Sequence, residues 1–221
     1  MSQRGSSTAV VFDWDGTVFD TDFLIDEAIE RVLKRHAPSE LHRLQPFFYS
    51  SRRQTSPLKL LRLPQQGRNT VIQEIANELR MLEKQASAFD GAKTLILRLK
   101  SLGVPLAVLT RRDRASLTAQ LQKCSLEHAF DVLVCRSEVP AKPDPAGLAL
   151  IRQQLQAERI VMIGNSMDDM LCARNAQVEF IAVNFCTRVK EAQLGEPDCQ
   201  VLSNYSLVHD ALMKMLCPGL T

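Results

Sequence analysis

The amino-acid sequence predicts an α/β protein: a parallel sheet with helices on both faces, interrupted early by a small all-helical insertion. Three observations carry that expectation. From Asp90 onward, apolar runs of strand length alternate with segments of helix period, as in repeated βαβ units. A further apolar run, Thr8-Ala9-Val10-Val11-Phe12, stands apart near the amino terminus. Between it and Asp90, residues 22–89 hold no strong strand candidate but two clear helical patterns.

Taken in order, the first strand is Thr8 to Phe12. In the insertion, Leu24, Ala28 and Val32 with neighbours Ile25, Ile29 and Leu33 form one helical face, and Val71, Ile72, Ile75, Ala76, Leu79 and Leu82 form another. Pro38, Pro46, Pro57 and Pro64 cut the chain between them into short pieces. The core resumes with a helix from Ala92 to Leu102, which repeats Leu95, Leu99 and Leu102 and stops at Gly103. Strands are then predicted at Pro105 to Leu109, Asp131 to Cys135, Arg159 to Ile163, Glu179 to Val183 and Gln200 to Leu202. Helices fall between them, at about Asp113 to Cys124, at Pro145 to Leu155 behind a first-turn proline, and through Asn175. The organisation expected is a core of residues 1–20 and 90–221 and an inserted helical unit of residues 21–89.

The bulk composition narrows the function. The chain has 221 residues and a formal net charge of +2, which gives no basic field for nucleic acid, apart from the pairs Arg52-Arg53 and Arg111-Arg112. No segment approaches the roughly 20 apolar residues that span a bilayer, and no apolar stretch of signal-peptide length precedes Asp13. The six cysteines, Cys124, Cys135, Cys172, Cys186, Cys199 and Cys217, show no zinc spacing and read as reduced, mostly buried thiols. A cytoplasmic protein that binds neither nucleic acid nor membrane, a monomer or weak homodimer, is the expectation.

The chemistry gathers at predicted strand ends. Asp13-Trp14-Asp15-Gly16-Thr17 follows the first strand, and carboxylates two apart on an extended chain point to the same side. Gly16 lets the backbone turn close to a ligand. Two acids this close call for a divalent cation between them or a proton on one. Thr110-Arg111-Arg112 ends the second core strand with a hydroxyl and free N–H groups, and a lone Thr there reads equally as a helix cap. Ala141-Lys142-Pro143-Asp144-Pro145 sets one cation in a stiff loop, where by itself it would be a solvated lysine. Gly164-Asn165-Ser166-Met167-Asp168-Asp169 places two acids in a first helical turn, which the helix dipole favours with or without a metal.

Together and in this order, these four motifs resemble the haloacid dehalogenase superfamily, in particular its phosphoglycolate phosphatase-like branch, with a Rossmann-like core and a helical cap inserted after the first strand. Asp20-Thr21, Phe130-Asp131 and Asp169-Met170 leading to Ala176 add to the likeness. The resemblance implies a magnesium-dependent phosphatase acting on a small phosphorylated metabolite. Asp13 would be the nucleophile that forms an aspartyl-phosphate, and Asp15 the acid that protonates the leaving oxygen and then activates water. Thr110, Lys142, Thr17, Arg111 and the N–H groups around Trp14 and Arg111 would hold the phosphoryl group. Mg2+ would be bound by Asp13, the carbonyl of Asp15, Asn165 and Asp169. Asp15 argues against a dehalogenase, which has no need of a second acid there. A phosphomutase of the same superfamily and a catalytically weak phosphate-binding or regulatory protein stay open.

Two positions depart from the pattern. Asn165 stands where relatives carry an Asp metal ligand, which removes one negative charge and predicts weaker magnesium binding, with Asp168 available to take over part of it. Gln177 stands where Gly is common, so a different turn is expected there. Phe47, Phe48, Tyr49, Arg52 and Arg53 of the insertion are candidates for closing over the leaving group, or else ordinary core aromatics and solvated arginines. Arg111 and Arg112 lie nearer the phosphate pocket by chain position.

Overall fold

A computed structural model describes residues 8–21, 23–49, 57–185 and 200–216. The architecture is α/β: one parallel six-stranded sheet with helices on both faces. Its strands are β1 (Thr8–Phe12), β2 (Leu106–Leu109), β3 (Val132–Val134), β4 (Arg159–Gly164), β5 (Glu179–Val183) and β6 (Val201–Leu202), ordered β3-β2-β1-β4-β5-β6. The order reverses at β1, so the crevice beyond the carboxyl ends of β1 and its neighbours β2 and β4 is where such a sheet binds ligands. Register fixes which residues meet there: Phe12 lies opposite Val108 on one side and Ile163 on the other.

Side-chain alternation splits the core in two. Val10 and Phe12 face one layer, packed with Leu95, Ile96 and Leu99 of α5 (Ala92–Ser101), Leu117 and Leu121 of α6 (Arg114–Cys124) and Val208 and Leu212 of α9 (Tyr205–Leu216). Ala9 and Val11 face the other, packed with Leu148 and Ile151 of α7 (Ala146–Leu155) and Cys172 and Ala173 of α8 (Met167–Asn175). A strand buried on both faces explains why β1, β2 and β4 read as continuous apolar runs. The helix α9 has no counterpart in the sequence reading. Pro145 caps α7 from one residue outside instead of opening its first turn.

Between β1 and α5 lie α1 (Leu24–His36), α2 (Pro38–Leu44), a 3-10 turn at Gln45–Phe47, α3 (Pro57–Leu60) and α4 (Arg68–Gln85). Each break in this run is set by a proline or glycine, with Pro38 at the start of α2, Pro57 at the start of α3 and Gly67, at φ 82°, before α4. Their buried faces make a core of their own from Ala28, Ile29, Val32, Leu33, Leu44 and Ile75. The two connections to the sheet run side by side: Asp20 N–H donates to Ser87 O at 3.0 Å and Phe89 N–H to Val18 O at 3.0 Å.

Cys135 and Cys172 are buried thiols and Cys124 is half-buried, all three free, while Cys186, Cys199 and Cys217 lie outside the described residues. Burial pushes the Cys172 thiol up to about 11, so it stays protonated. Among the described residues no helix is long and apolar enough to cross a membrane.

Candidate active site

At the carboxyl end of β1 the backbone runs straight on, with Asp13 N–H donating to Ile163 O at 2.9 Å. Trp14 O then accepts from the N–H groups of Val18 and Phe19 at 2.9 and 3.0 Å, and Gly16, at φ 77°, closes the turn. This loop keeps Asp13 buried on the crevice side. The Trp14 side chain turns the other way into the core, stacks on Phe19 and donates its indole N–H to Gln120 Oε1 at 2.5 Å. Only the Trp14 backbone is therefore available to a ligand. From α9, Tyr205 donates its hydroxyl to Thr17 O at 2.7 Å and pins the far side of the loop.

Lys142 is the centre of the site. Its Nζ lies 2.5 Å from Asp13 Oδ1, 2.5 Å from Asp169 Oδ1 and 3.1 Å from Leu109 O, with only 5% of the side chain exposed. Burial works against its charge, but the attraction of Asp13 and Asp169 prevails and holds its pKa above the ordinary lysine range. Lys142 is thus a fixed cation. Asp13 is in the opposite position: burial, then the nearby Asp169 carboxylate, outweigh Lys142 and raise its pKa from 3.8 to about 7. Thr17 Oγ1 donates across the site, to Asp13 Oδ2 at 3.2 Å and Asn165 Oδ1 at 3.3 Å.

The segment after β4 explains how Asp169 reaches this cluster. Ser166 caps α8, and Asp169 answers by accepting from the Ser166 N–H at 3.0 Å through Oδ2, so the two form a reciprocal capping box. That leaves Asp169 Oδ1 aimed at Lys142. It meets the ammonium at 2.5 Å, and an oxygen with this one neighbour keeps a lone pair to spare. Gly164 makes the approach feasible: a Cβ there would meet Asp169 Cβ at 2.6 Å and Cγ at 2.8 Å. Gly164→Ala is expected to push Asp169 outward and lower stability by about 1–3 kcal/mol in chemical denaturation, the usual cost of overpacking. An unchanged midpoint would show that Asp169 is not seated as described.

The donors fit a hard divalent cation. Asp13, Asp169 Oδ1 and the Asn165 amide oxygen are all oxygens facing one crevice, and a small cation of this kind takes one or two carboxylates and keeps several waters. Among the described residues no three carboxylate, imidazole or thiolate groups form a metal cage alone, so water and backbone oxygens would complete such a shell. Asp168 points elsewhere and pairs with Arg111, whose guanidinium also donates to Lys142 O at 2.7 Å.

Thr110 is buried at the end of β2, and its Oγ1 accepts the Arg112 N–H at 3.1 Å. It is not the cap of α6; that role belongs to Asp113, which accepts from Ser116 N–H at 2.9 Å. Asp15 sits at the rim, held by Arg112 and by the Thr21 hydroxyl. Sequence reasoning did not find Glu83 of α4, which reaches Arg112 from the insertion, nor Gln120 and Tyr205, which fix the loop from behind. Nothing in local sequence marks them, since each is a single polar residue in a helical pattern. Phe48 is buried in the core of the insertion and Tyr49 donates its hydroxyl to Glu30 at 2.7 Å, while Arg52 and Arg53 lie outside the described residues. Gln177 adopts the left-handed backbone, φ 53°, that a glycine takes freely.

A parallel sheet with a lysine-bridged pair of acids in the crevice at its switch point belongs to the class of α/β enzymes whose chemistry lies at strand ends. The family follows from comparison. The model of the haloacid dehalogenase-like hydrolases matches residues 10–183, and the chain belongs to that family. It is therefore a hydrolase. A pyrophosphatase, PpaX, of Halalkalibacterium halodurans is 26% identical over 182 residues, covering 81% of this chain and 84% of the relative. A phosphoglycolate phosphatase of Agrobacterium fabrum is 25% identical over 227 residues, covering 98% and 97%. In three dimensions the chain superposes on a family hydrolase of Deinococcus radiodurans, solved with bound phosphate and sodium, with a TM-score of 0.77, 20% identity and coverage of 95% and 96%; at that identity the likeness concerns the fold.

Proposed function

We propose that the protein is a magnesium-dependent phosphatase that hydrolyses a small phosphorylated metabolite through an aspartyl-phosphate on Asp13. The single observation that carries this reading is the buried triad Asp13–Lys142–Asp169, in which one ammonium lies 2.5 Å from each of two carboxylates. A buried acid that is only partly neutralised is a poor structural element and a good nucleophile toward a phosphoryl group.

The residues divide the work. Lys142 opposes the protonation of Asp13 that burial and Asp169 favour, and offers its remaining attraction to the phosphoryl oxygens, joined by Thr110, Thr17 and the backbone N–H groups of Trp14 and Arg111. Asp15, at the rim, gives a proton to the leaving oxygen and takes one from the attacking water. Asp13, Asn165, Asp169 and the Asp15 carbonyl would hold Mg2+, which when bound neutralises charge on the transferring group. Residues 21–89 act as a cap over a core of residues 1–20 and 90–221, excluding water during transfer and opening for exchange. The named relatives act on pyrophosphate and phosphoglycolate, both of which carry a second anionic group, and Arg111, which donates to the Lys142 carbonyl, would exchange Asp168 for such a group.

Assaying phosphate release from 4-nitrophenyl phosphate with MgCl2, followed by hydroxylamine trapping and peptide mapping, tests the reading. The expected result is turnover and a label on Asp13. A label elsewhere, or none with turnover intact, would overturn it. Asn165→Asp should tighten magnesium by about tenfold, since one added negative charge about 4 Å from a divalent cation, at an effective dielectric of about 20, is worth about 8 kcal/mol before desolvation is subtracted. Calorimetric titration with MgCl2 reads this directly, and equal affinities would mean that position 165 does not face the ion.

A further inference from the structure

We propose that Arg112 is the positioning residue that holds Asp15 for proton transfer, and that it ties this placement to the helical insertion through Glu83. The proposal rests on the phosphatase reading above, in which Asp15 is the acid. Its basis is the way Arg112 is shared among three parts of the chain.

The backbone of Arg112 is fixed at both groups: its N–H donates to Thr110 Oγ1 at 3.1 Å and its carbonyl accepts from Arg136 N–H at 2.9 Å. Its side chain is only 12% exposed and every nitrogen is engaged. Nε lies 3.2 Å from both Asp15 oxygens, Nη2 donates to Asp15 Oδ1, and Nη1 reaches Ser116 Oγ at 2.8 Å and Glu83 Oε1 at 3.2 Å. Asp15 comes from the loop after β1, Ser116 from α6, and Glu83 from α4 in the insertion. One guanidinium thus joins the acid, the core and the insertion.

The two oxygens of Asp15 are not equivalent. Oδ1 receives Arg112 Nε and Nη2 and the Thr21 hydroxyl, so its lone pairs are filled. Oδ2 receives Nε alone, at 3.2 Å. Oδ1 is the anchor and Oδ2 the working oxygen, beside a cavity of 290 Å³ lined by Asp15, Glu83, Arg112 and Ser116. As Asp13 bonds to phosphorus, the bond to the leaving oxygen breaks, its electron pair stays on that oxygen, and the proton on Oδ2 moves to it. In the second step Oδ2 takes a proton from the attacking water.

Arg112 acts on Asp15 both as an ion-pair partner and as a fork that fixes its orientation. Magnitudes decide which influence prevails. The ion pairing by itself changes a rate only about 5-fold at most, whereas misplacing a catalytic group by about 1 Å costs about 100-fold. Orientation therefore dominates, and losing Arg112 slows the step in which the proton moves.

The test compares phenyl phosphate with 4-nitrophenyl phosphate, esters of similar shape whose leaving groups differ in their need of a proton. Arg112→Ala should lower kcat/KM for phenyl phosphate about 100-fold and for 4-nitrophenyl phosphate less than about 5-fold. Arg112→Lys, which keeps the charge but cannot fork, should show the same bias with a smaller loss and serves if the alanine variant fails to fold. Glu83→Gln should show it more weakly, at about 3-fold on phenyl phosphate alone. Equal losses on both esters in the arginine variants would overturn the proposal, because a merely structural role does not read the leaving group. If Asp13→Asn keeps wild-type turnover, the phosphatase reading falls first and this proposal with it.

Discussion

Asp13→Asn is expected to abolish turnover, by at least about 10⁴-fold, and yet to give a more stable protein than the wild type near and above pH 7. The two effects have one cause. Asp13 is buried beside Asp169, and its pKa is raised from 3.8 to about 7 against the pull of Lys142. Between those values the folded chain holds a proton that the unfolded chain has released. The contribution of Asp13 to stability is therefore complete below about pH 4 and is lost as pH rises through about 7. Asparagine has the same shape without the charge, so the advantage of the variant should grow across that window, up to a limit of about 4 kcal/mol. Denaturation midpoints of both proteins at pH 5 and pH 8, without divalent cations, measure it. A variant less stable than wild type at pH 8 would mean that Lys142 compensates Asp13 fully.

Removing the counter-charge should do the reverse. Lys142→Met keeps the length of the side chain but leaves Asp13 and Asp169 facing each other without a cation, and Leu109 O loses its donor. Breaking a buried pair from one side costs about 3–5 kcal/mol. The penalty should shrink on acidification, as Asp13 takes up a proton and the repulsion disappears. In a double-mutant cycle, Asp13→Asn should restore much of the stability that Lys142→Met loses. Additive losses would separate the two residues and remove the central contact of the proposed site. Turnover of Lys142→Met should be lost at every pH.

Much of this site was legible because strand ends announce themselves. A buried parallel strand leaves an apolar run, and whatever polar residues follow it must lie in the crevice; Asp13, Thr110 and the segment after β4 were found that way. Asp168, which the sequence left available to make up the charge missing at Asn165, instead pairs with Arg111, a contact between distant segments. Less could be read where geometry depends on contacts between distant segments. Trp14 looked like part of a binding loop, but its indole fills a core gap closed by Gln120, more than a hundred residues away. Glu83 is one acid among several on an amphipathic helix, and only the packing of the insertion brings it to Arg112. The helix α9 did carry a local signal, Tyr205, Val208 and Leu212 at helix spacing between Asn204 and Pro218-Gly219, but it lies at no strand end and so fell outside the reading of strand ends. At Gln177 the backbone takes the left-handed shape although no glycine stands there.

The paired strands of chain that enter and leave the helical insertion have a consequence for how this architecture tolerates change. Because Asp20 and Ser87 are hydrogen-bonded neighbours, the sheet sees the whole excursion as a closed turn, whatever its length. Closure entropy grows only with the logarithm of loop size, so lengthening or shortening the excursion perturbs folding of the sheet by only about 0.6 kcal/mol per doubling. Modules of quite different size can then be grafted at that point while the reactive residues stay where the strands leave them.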